Sequence, residues 1–285
     1  MNAESSTDRP ASEHHISSRQ SIEHPHPCTG QTHAPLHPLT SVQVIPADEL
    51  ITTRHIAMLG QFHAPRSPSK RVPVATPETA TLLDTPYRIV EIFETLQGEG
   101  FNTGMPSVFI RFGKCNLACP WCDTDYNRFG TMTLGDILAK VRTFSARNVI
   151  ITGGEPTIQP HLERLLDCLK AEGHFLAIET NGLKPVPPQI DYIATSPKRL
   201  YQRAYVKRRI KFAHEVRIVV DGDVRDFCAQ IEDSIRADRY YLSPCEVDGR
   251  MNMLETITQL GQLNQRPGRP RWQLSIQTHK LAGIE

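Results

Sequence analysis

The sequence predicts an α/β fold, a partial parallel α/β barrel that stays incomplete, with a disordered N-terminal extension. After Thr85, short apolar runs rich in Val and Ile alternate with segments of helical periodicity, a pattern typical of parallel strands joined by crossover helices. Residues 191–197 are followed by no obvious helix before the next strand, so the repeat is broken and the barrel is expected not to close.

The extension is predicted from composition. Residues 1–84 hold eight of the chain's twelve histidines and ten of its 22 prolines, with many Ser and Thr and little periodicity. Such a segment buries too little apolar surface to offset its ordering entropy, so we expect disorder there and a folded catalytic domain over residues 85–285.

The elements of the folded domain follow from apolar runs and helical spacing. Ile137, Leu138 and Val141 are spaced to form one helix face turned to the core. Ligands of such folds gather at the carboxyl ends of the strands, where residues 113–125, 152–156, 180–182 and 196–198 carry unusual sequences. The predicted strands are 107–112, 148–152, 175–179, 192–195, 215–220, 240–243 and 272–276, and the predicted helices are 133–144, 161–172, 224–236 and 251–264.

Charge and composition exclude several classes of protein. With 32 Lys and Arg against 31 Asp and Glu, the chain lacks the overall positive charge of a nucleic-acid binder. No apolar run is long enough to span a membrane and no signal sequence is evident, so we expect a cytoplasmic protein with no nucleic-acid or membrane partner. Seven cysteines are too few for a disulfide framework in a chain of 285 residues.

Three of the cysteines indicate a metal site. Cys115, Cys119 and Cys122 lie in one loop after a predicted strand. Three thiolates on a cubane of four irons leave one iron open to a small molecule that chelates through an amino and a carboxylate group. The alternative is a closed zinc site completed by a histidine, although no His or fourth Cys lies nearby in sequence. Cys168, Cys228 and Cys245 are interpreted as ordinary buried residues.

The cysteine loop and a second segment resemble the radical S-adenosylmethionine superfamily. The spacing CxxxCxxC with Trp121 before the last cysteine is similar to the superfamily signature, and residues 152–156 (TGGEP) are similar to its second motif. The resemblance implies a [4Fe-4S] cluster and S-adenosylmethionine as cofactors. It also implies that Gly153, Gly154 and Glu155 receive the methionyl amine.

Five further segments resemble the 7-carboxy-7-deazaguanine synthase family over residues 87–285: residues 94–100 (ETLQGEG), 109–111 (FIR), 121–124 (WCDT), 196–198 (SPK) and 277–280 (QTHK). The resemblance implies a lyase that converts 6-carboxy-5,6,7,8-tetrahydropterin into 7-carboxy-7-deazaguanine with loss of ammonia, on the route to queuosine and other 7-deazapurines. Only thirty residues separate Cys122 from Gly153, whereas some relatives carry a longer insertion there.

Candidate substrate contacts combine chemistry with this resemblance. The pterin edge suits the side chains of Gln97 and Glu99. Arg111 suits the substrate carboxylate, with a surface salt bridge as the alternative. His279, taken without the resemblance, reads as a solvated residue near the end of the chain. The full substrate set is Leu96, Gln97, Gly98, Glu99, Arg111, Thr152, His279 and the terminal carboxylate of Glu285, next to which a C-terminal tag is expected to impair activity.

The remaining assignments are carried over from the family. Thr124 resembles its Mg²⁺ ligand, and Asp123 or Asp125 is an alternative or supporting ligand. The resemblance also implies a homodimer and a flavodoxin or ferredoxin as electron donor. The cofactor contacts, besides Gly153, Gly154 and Glu155, are Ser196, Pro197, Lys198, Ser243, Pro244 and Gln277.

Two other functions remain open at this stage. A glycyl-radical activase shares the cysteine loop and the Gly-Gly-Glu segment, but it leaves residues 95–100 (TLQGEG) and 277–280 (QTHK) unexplained. A non-enzymatic iron–sulfur or zinc scaffold is the second. Cleavage of S-adenosylmethionine separates the scaffold from both enzymes, and action on a pterin separates the two enzymes.

Overall fold

The computed structural model describes residues 82–247 and 249–284, with only the backbone of Val247 included. Eleven strands and six α-helices alternate along this part of the chain. The strands are β1 (Pro86–Leu96), β2 (Pro106–Phe112), β3 (Gly130–Thr133), β4 (Asn148–Gly153), β5 (Phe175–Thr180), β6 (Tyr192–Thr195), β7 (Phe212–Val220), β8 (Arg236–Pro244), β9 (Glu246–Val247), β10 (Arg250–Met251) and β11 (Trp272–Leu274). The helices are α1 (Leu134–Val141), α2 (Leu162–Ala171), α3 (Gln202–Lys207), α4 (Arg225–Glu232), α5 (Met253–Asn264) and α6 (Thr278–Ala282).

Nine strands form one sheet in the order β11-β8-β7-β6-β5-β4-β2-β1-β3. All neighbours from β2 to β11 run parallel, whereas β1 pairs antiparallel with both β2 and β3. Within the described residues β3 and β11 are the edges of this sheet and do not pair with each other, so the barrel is open. The prediction of an incomplete parallel α/β barrel is confirmed. The expectation that no helix follows residues 191–197 was wrong, because the short helix α3 lies between β6 and β7.

Most predicted elements are present within a few residues of their predicted bounds, and two differences have clear causes. The prediction missed β1 and β3, which are antiparallel and have no crossover helix to mark them. The helix predicted to end at Arg236 ends at Glu232, because Arg236 begins β8 and pairs with Phe212 of β7. Expecting a helix up to Arg236 was therefore wrong.

The core lies on both faces of the sheet. Helices α1 and α2 pack against β1, β2, β4 and β5, and Ile137, Leu138 and Val141 of α1 are buried as predicted. Thr133 caps α1 through a reciprocal hydrogen-bond pair with Asp136, which fixes where the helix begins. On the inner face Phe109, Ile150 and Tyr192 belong to a small apolar cluster below the polar residues that follow on the same strands. This cluster forms the floor of the site described next.

The predicted disordered extension lies almost entirely outside the described residues, so it stays a prediction. Leu82 and Leu83, just before the predicted start of the folded domain, pack against the core of α1 and α2. In the described part of the chain no helix is long and apolar enough to cross a membrane.

Candidate active site

One cavity of about 930 Å³ opens at the carboxyl ends of the parallel strands. Its volume lies near the upper end of the range for small-molecule sites, roughly 300–1,000 Å³, so it has room for more than one small ligand. The cavity walls come from β1, β2, β4–β8 and the C-terminal segment. Thr278 holds this segment at the cavity, because its backbone N–H and its hydroxyl both donate to the Gly98 carbonyl, at 3.0 and 2.9 Å.

The loop after β2 brings Cys115, Cys119 and Cys122 to the cavity wall, as the strand-loop pattern predicted. Two of the contacts that tie the loop to the rest of the fold involve Tyr201 and Asp221. The Ala118 N–H donates to the Tyr201 hydroxyl at 2.9 Å, and the Trp121 indole N–H donates to the Asp221 carboxylate at 3.3 Å. The first contact holds the backbone between Cys115 and Cys119 against the segment that precedes α3, and the second holds the Trp121 side chain against the residue that follows β7.

The donor set fits an iron–sulfur cluster. All three cysteines are free thiols with at least partial exposure to the cavity. Within the described residues no three His, Cys, Asp or Glu side chains converge on one point as ligands of a single ion do. A cubane needs no such convergence, because each cysteine binds a different iron. Burial raises the pKa of the Cys115 and Cys119 thiols, and the positive charge of Lys198 partly offsets this for Cys119.

The Gly-Gly-Glu segment after β4 packs closely on the cysteine loop. A Cβ on Gly153 would lie 2.2 Å from the Phe112 carbonyl oxygen, and one on Gly154 would lie 2.1 Å from the Lys114 carbonyl oxygen. The Gly154 N–H donates to that same Phe112 carbonyl at 2.9 Å. Both glycines line the cavity, and the close approach that excludes a side chain is to the backbone of residues 112–114.

Glu155 is fully buried and does not line the cavity. Its carboxylate accepts hydrogen bonds from the Thr157 and Thr180 hydroxyls and from the Thr157 and Asn181 N–H groups. Asn181 in turn donates to the side chain of Asn116 at 2.8 Å. The carboxylate therefore braces the end of β5 and, through Asn181, the cysteine loop.

A buried guanidinium organises the opposite side of the cavity. Arg217, whose side chain is 5% exposed, donates to Glu99 at 2.5 Å and to Glu179 at 2.7 Å, and its Nε lies 3.1 Å from Glu215. Gln97 and the Thr152 hydroxyl also donate to Glu179, at 3.0 and 3.2 Å. These residues, together with Glu99, form a polar wall with two carboxylates beside the cavity.

The charges of this wall are unequal. Burial raises the pKa of Glu99 above its ordinary 4.5, and nearby Glu179 adds to the effect while Arg217 opposes it. Burial acts the same way on Glu179, but Arg217 and the hydrogen bonds from Gln97 and Thr152 outweigh it and lower the pKa. Glu179 is therefore the better ionised of the two carboxylates.

Arg111 on β2 lies in register with Thr152 of β4. Its Nε pairs with Glu91 at 2.6 Å, its Nη1 lies 3.4 Å from the Thr124 hydroxyl, and its guanidinium stands over the Phe93 ring. The salt bridge considered as an alternative is thus present, and the residue lines the cavity as well.

The C-terminal segment supplies His279, Gln277 and Lys280. The His279 ring lies so close to Gly98 that a Cβ there would be 1.9 Å from Nδ1, so only glycine leaves room for it. Gln277 and Lys280 donate to the Asp123 carboxylate at 3.2 and 3.3 Å. Burial and the adjacent charge of Lys280 lower the pKa of His279, which favours its neutral form.

Another group of predicted residues lies between the cysteine loop and the polar wall around Arg217. The Lys198 ammonium donates to the Ser196 hydroxyl at 2.8 Å and stands over the Trp121 ring. The Ser243 hydroxyl is buried, lines the cavity and has no hydrogen-bond partner among the described residues. An unsatisfied buried hydroxyl at a cavity wall fits a contact with a polar ligand such as S-adenosylmethionine.

The structure brings most of the predicted site residues together. Glu155 and Pro197 are buried outside the cavity, and Glu285 lies outside the described residues. Of the other cysteines, Cys228 is buried in the core as predicted, whereas Cys168 is only partly buried and packs against the core. Cys245 is buried and also lines the cavity. The predicted residues that line the cavity are Leu96, Gln97, Gly98, Glu99, Arg111, Cys115, Cys119, Cys122, Thr124, Thr152, Gly153, Gly154, Ser196, Lys198, Ser243, Pro244, Gln277 and His279.

Sequence reasoning missed Glu179 and Arg217. Glu179 ends an apolar strand at the edge where ligands gather, and Arg217 interrupts the apolar run of β7. A charged residue inside a buried strand needs a partner, so these two positions were the available signal for an ion pair in the site.

Comparison with known proteins identifies the class. Residues 109–219 match the family model of the radical SAM superfamily, which includes the cysteine loop and the Gly-Gly-Glu segment. The 7-carboxy-7-deazaguanine synthase of Haemophilus influenzae is 68% identical over 199 residues, which cover 70% of this chain and 94% of that protein. The enzyme of the same name from Neisseria meningitidis serogroup B is 68% identical over 200 residues, with the same coverage.

A solved structure agrees with these relatives. The crystal structure of QueE from Escherichia coli matches 71% of this chain and 99% of its own length, with a TM-score of 0.52 and 29% sequence identity. The fold and the cysteine site therefore define a radical SAM enzyme. Within that class, the chain belongs to the 7-carboxy-7-deazaguanine synthase family.

Proposed function

We propose that this chain converts 6-carboxy-5,6,7,8-tetrahydropterin into 7-carboxy-7-deazaguanine with release of ammonia, a step of 7-deazapurine and queuosine biosynthesis. The observation that carries the proposal is that a single cavity is lined both by three free thiols and by the polar side chains of Gln97, Glu99 and Glu179. Thiols suit a cluster, and carboxylates and amides suit the donor-rich edge of a pterin.

When bound, the [4Fe-4S] cluster and S-adenosylmethionine supply a 5′-deoxyadenosyl radical that abstracts hydrogen from the substrate. Cys115, Cys119 and Cys122 would hold the cluster. Gly153 and Gly154 keep the backbone close to the cysteine loop, and Glu155 braces that loop through Asn181. Lys198, Ser196 and the unpartnered hydroxyl of Ser243 are suited to the polar groups of S-adenosylmethionine, with Pro244 and Gln277 beside them.

On the substrate side, the ionised Glu179 is suited to accept hydrogen bonds from the pterin, held in place by Arg217 and Thr152. Gln97 and Glu99 complete the edge, together with the backbone of Leu96 and Gly98. The substrate carboxylate would bind near Arg111, with His279 alongside. Orientation and exclusion of water are the protein's contribution to a reaction whose chemistry the cofactors supply.

We include Mg²⁺ as a cofactor, with the Thr124 hydroxyl as the protein ligand. A hard oxygen donor suits Mg²⁺, which keeps several waters and shares substrate oxygens. Asp123 lies next in sequence and is held by Gln277 and Lys280, an arrangement that supports a role in orienting the metal's waters.

The remaining parts of the proposal concern the cellular setting. We propose a cytoplasmic enzyme that acts as a homodimer and receives electrons from a flavodoxin or ferredoxin. The reducing cytoplasm would keep the six cysteines of the described residues as free thiols.

The test is anaerobic reconstitution of the untagged chain with iron and sulfide, followed by turnover with the pterin, S-adenosylmethionine and Mg²⁺. We expect 7-carboxy-7-deazaguanine by mass-resolved chromatography. Cys119→Ala should abolish it, whereas Cys168→Ala, a change on α2 outside the cavity, should not. Cleavage of S-adenosylmethionine without the deazapurine would point to another substrate or to an activase, and absence of cleavage with a fully loaded cluster would contradict the enzyme assignment.

A further inference from the structure

Positive charge is concentrated in the segment from Lys198 to Lys211. It contains seven Lys and Arg residues and no Asp or Glu, although the net charge of the whole protein is only +1. The segment comprises a 3-10 turn (Arg199–Tyr201), helix α3 and the approach to β7.

Three of the seven cations are occupied by the fold. Arg199 pairs with Asp221 at 2.7 Å. Lys198 points to the cavity, where it contacts Ser196 and Trp121. Arg209 donates to the carbonyls of residues 205, 206 and 234.

The other four cations form an exposed group without partners. Arg203, Lys207, Arg208 and Lys211 are exposed, and none of them forms an ion pair within residues 82–247 and 249–284. Arg203 and Lys207 are four residues apart in α3 and share one helix face. Four unpaired cations so close together attract a negatively charged partner.

Two apolar side chains accompany these cations. Leu200 is 54% exposed and Val206 is 66% exposed. Val206 precedes Lys207 in α3, and Leu200 lies in the turn that leads into the helix. We call the group of Leu200, Arg203, Val206, Lys207 and Arg208 the basic surface. Lys211 is left out because it directly precedes β7 and so lies toward the amino ends of the strands. Apolar contacts flanked by charge are typical of a small protein–protein interface.

The basic surface adjoins the cysteine loop. Tyr201, directly after Leu200, accepts the hydrogen bond from the Ala118 N–H between Cys115 and Cys119. Asp221 links the same two regions, because it binds both Arg199 and the indole of Trp121. A molecule seated on the basic surface would therefore lie beside the outer side of the proposed cluster.

We propose that the basic surface is the docking site of a small acidic electron-transfer protein that reduces the cluster. This rests on the proposed function. In the docked complex one electron leaves the cofactor of the donor and enters the cluster, so the donor is oxidised and the cluster reduced by one electron, with no bond made or broken. Redox partners bind through small, transient interfaces, which suits a surface of this size.

The two exposed apolar side chains favour a protein over a nucleic acid at the basic surface. The exposed Leu200 and Val206 gain by contact with apolar side chains, whereas a phosphate backbone offers them nothing.

The experiment uses the full reconstituted chain and a flavodoxin of net negative charge as the probe. The test variants reverse two charges each, Arg203→Glu with Lys207→Glu and Arg203→Glu with Arg208→Glu. The matched control is Lys140→Glu with Arg271→Glu. Arg271 directly precedes β11, and Lys140 is in the last turn of α1, so both lie toward the amino ends of the strands, opposite the cavity.

Two readouts are needed. Calorimetric titration gives the affinity for flavodoxin, and 5′-deoxyadenosine formation gives the rate with reduced flavodoxin or with dithionite. Each test pair should weaken flavodoxin binding and raise the KM for flavodoxin by about tenfold or more at low salt. Added salt should reduce the difference between the variants and the unmodified chain. Rates with dithionite should match those of the unmodified chain.

The contrary outcomes are distinct. Unchanged flavodoxin affinity in both test pairs, or an equal loss in the control pair, overturns the docking surface. So does binding of a single-stranded RNA oligonucleotide that the reversals abolish while flavodoxin affinity persists. If the unmodified chain fails to cleave S-adenosylmethionine with dithionite, the proposed function fails, and the titration still decides the docking surface.

Discussion

The guanidinium of Arg217 donates to the carboxylate of Glu179 at 2.7 Å, and this contact joins β7 to β5 across β6 at the cavity wall. The same guanidinium binds Glu99 and lies beside Glu215. Glu215 in turn accepts from the Phe101 N–H and the Tyr192 hydroxyl at 2.9 and 3.0 Å. One buried cation thus fixes the positions of two carboxylates in the proposed pterin site.

Replacing Arg217 with Met should destabilise the protein and inactivate it. Three carboxylates would lose their common partner, and breaking a buried ion pair from one side costs about 3–5 kcal/mol. Arg217→Lys keeps the charge without the planar fork, so it should fold better while Glu179 and Glu99 are poorly aligned. Urea denaturation and pterin turnover measure the two effects.

Arg225→Met is the control for this comparison, because the Arg225–Asp223 pair is exposed and worth little. It should leave both stability and turnover close to those of the unmodified chain. Equal stability of the Arg217→Met and Arg225→Met variants would contradict the organising role of Arg217.

The two site carboxylates should respond to pH with opposite signs. Burial raises the pKa of Glu99 above 4.5, so its ionisation costs stability as pH rises from that value through the raised pKa. Arg217 and hydrogen bonds lower the pKa of Glu179, so its ionisation contributes stability that is lost as pH falls from 4.5 through the lowered pKa. Glu99→Gln should therefore raise the unfolding free energy at pH 7, and Glu179→Gln should lower it.

Unfolding free energies measured from pH 7 to pH 3 test this pair, each variant serving as the control for the other. The gain from Glu99→Gln should fade as pH falls toward 4.5, while the loss from Glu179→Gln should persist to lower pH. Both variants should turn over the pterin poorly, so Glu99→Gln would gain stability at the expense of activity. Shifts of the same sign in the two variants would rule out the charge assignment.

The residues of the site differ in how far the sequence could predict them. The cysteine loop and the Gly-Gly-Glu segment are local motifs that follow apolar strands, so their meeting at one edge follows from parallel topology. The contacts of Arg217 come from the loop after β1 and from β5 and β7, and their meeting depends on sheet curvature and register. No local pattern carries that information.

The glycines and Glu155 show a second limit. Their presence near the cofactor site was predictable, but the structure shows that the tight contacts of Gly153 and Gly154 are with the backbone after β2. Glu155 is saturated by Thr157, Thr180 and Asn181. A sequence motif identifies the residues that a site needs. It does not distinguish the residues that contact a ligand from those that hold the cysteine loop in place.

Gly98→Ala should inactivate the enzyme with little loss of stability. The added Cβ would meet Nδ1 of His279 at 1.9 Å, so the ring must turn away from its place at the cavity. The end of a side chain can move without unfolding the protein, whereas a displacement of about 1 Å in a reacting site can cost roughly 100-fold in rate. Thermal unfolding and pterin turnover separate the two effects.

The control is Gly261→Ala in α5, where a Cβ meets no atom within 4 Å. Alanine favours a helix over glycine by about 0.5–1 kcal/mol, so this variant should be somewhat more stable and equally active. Full activity of Gly98→Ala would show that the position of His279 does not matter for turnover.

Tyr201→Phe should loosen the cluster. The Tyr201 hydroxyl accepts the hydrogen bond from the Ala118 N–H at 2.9 Å and is one of the contacts that hold the segment between Cys115 and Cys119. Losing one such bond costs about 0.5–1.5 kcal/mol, which corresponds to a several-fold change in how often the loop opens. Iron released to an excess of chelator, followed over time, should therefore appear several-fold faster from the variant.

The control is Tyr240→Phe, which removes a hydroxyl that bonds Ile235 and Ala237 outside the cavity. This variant should release iron at the rate of the unmodified protein. If Tyr201→Phe also releases iron at that rate, the three thiols hold the cluster without help from the segment before α3.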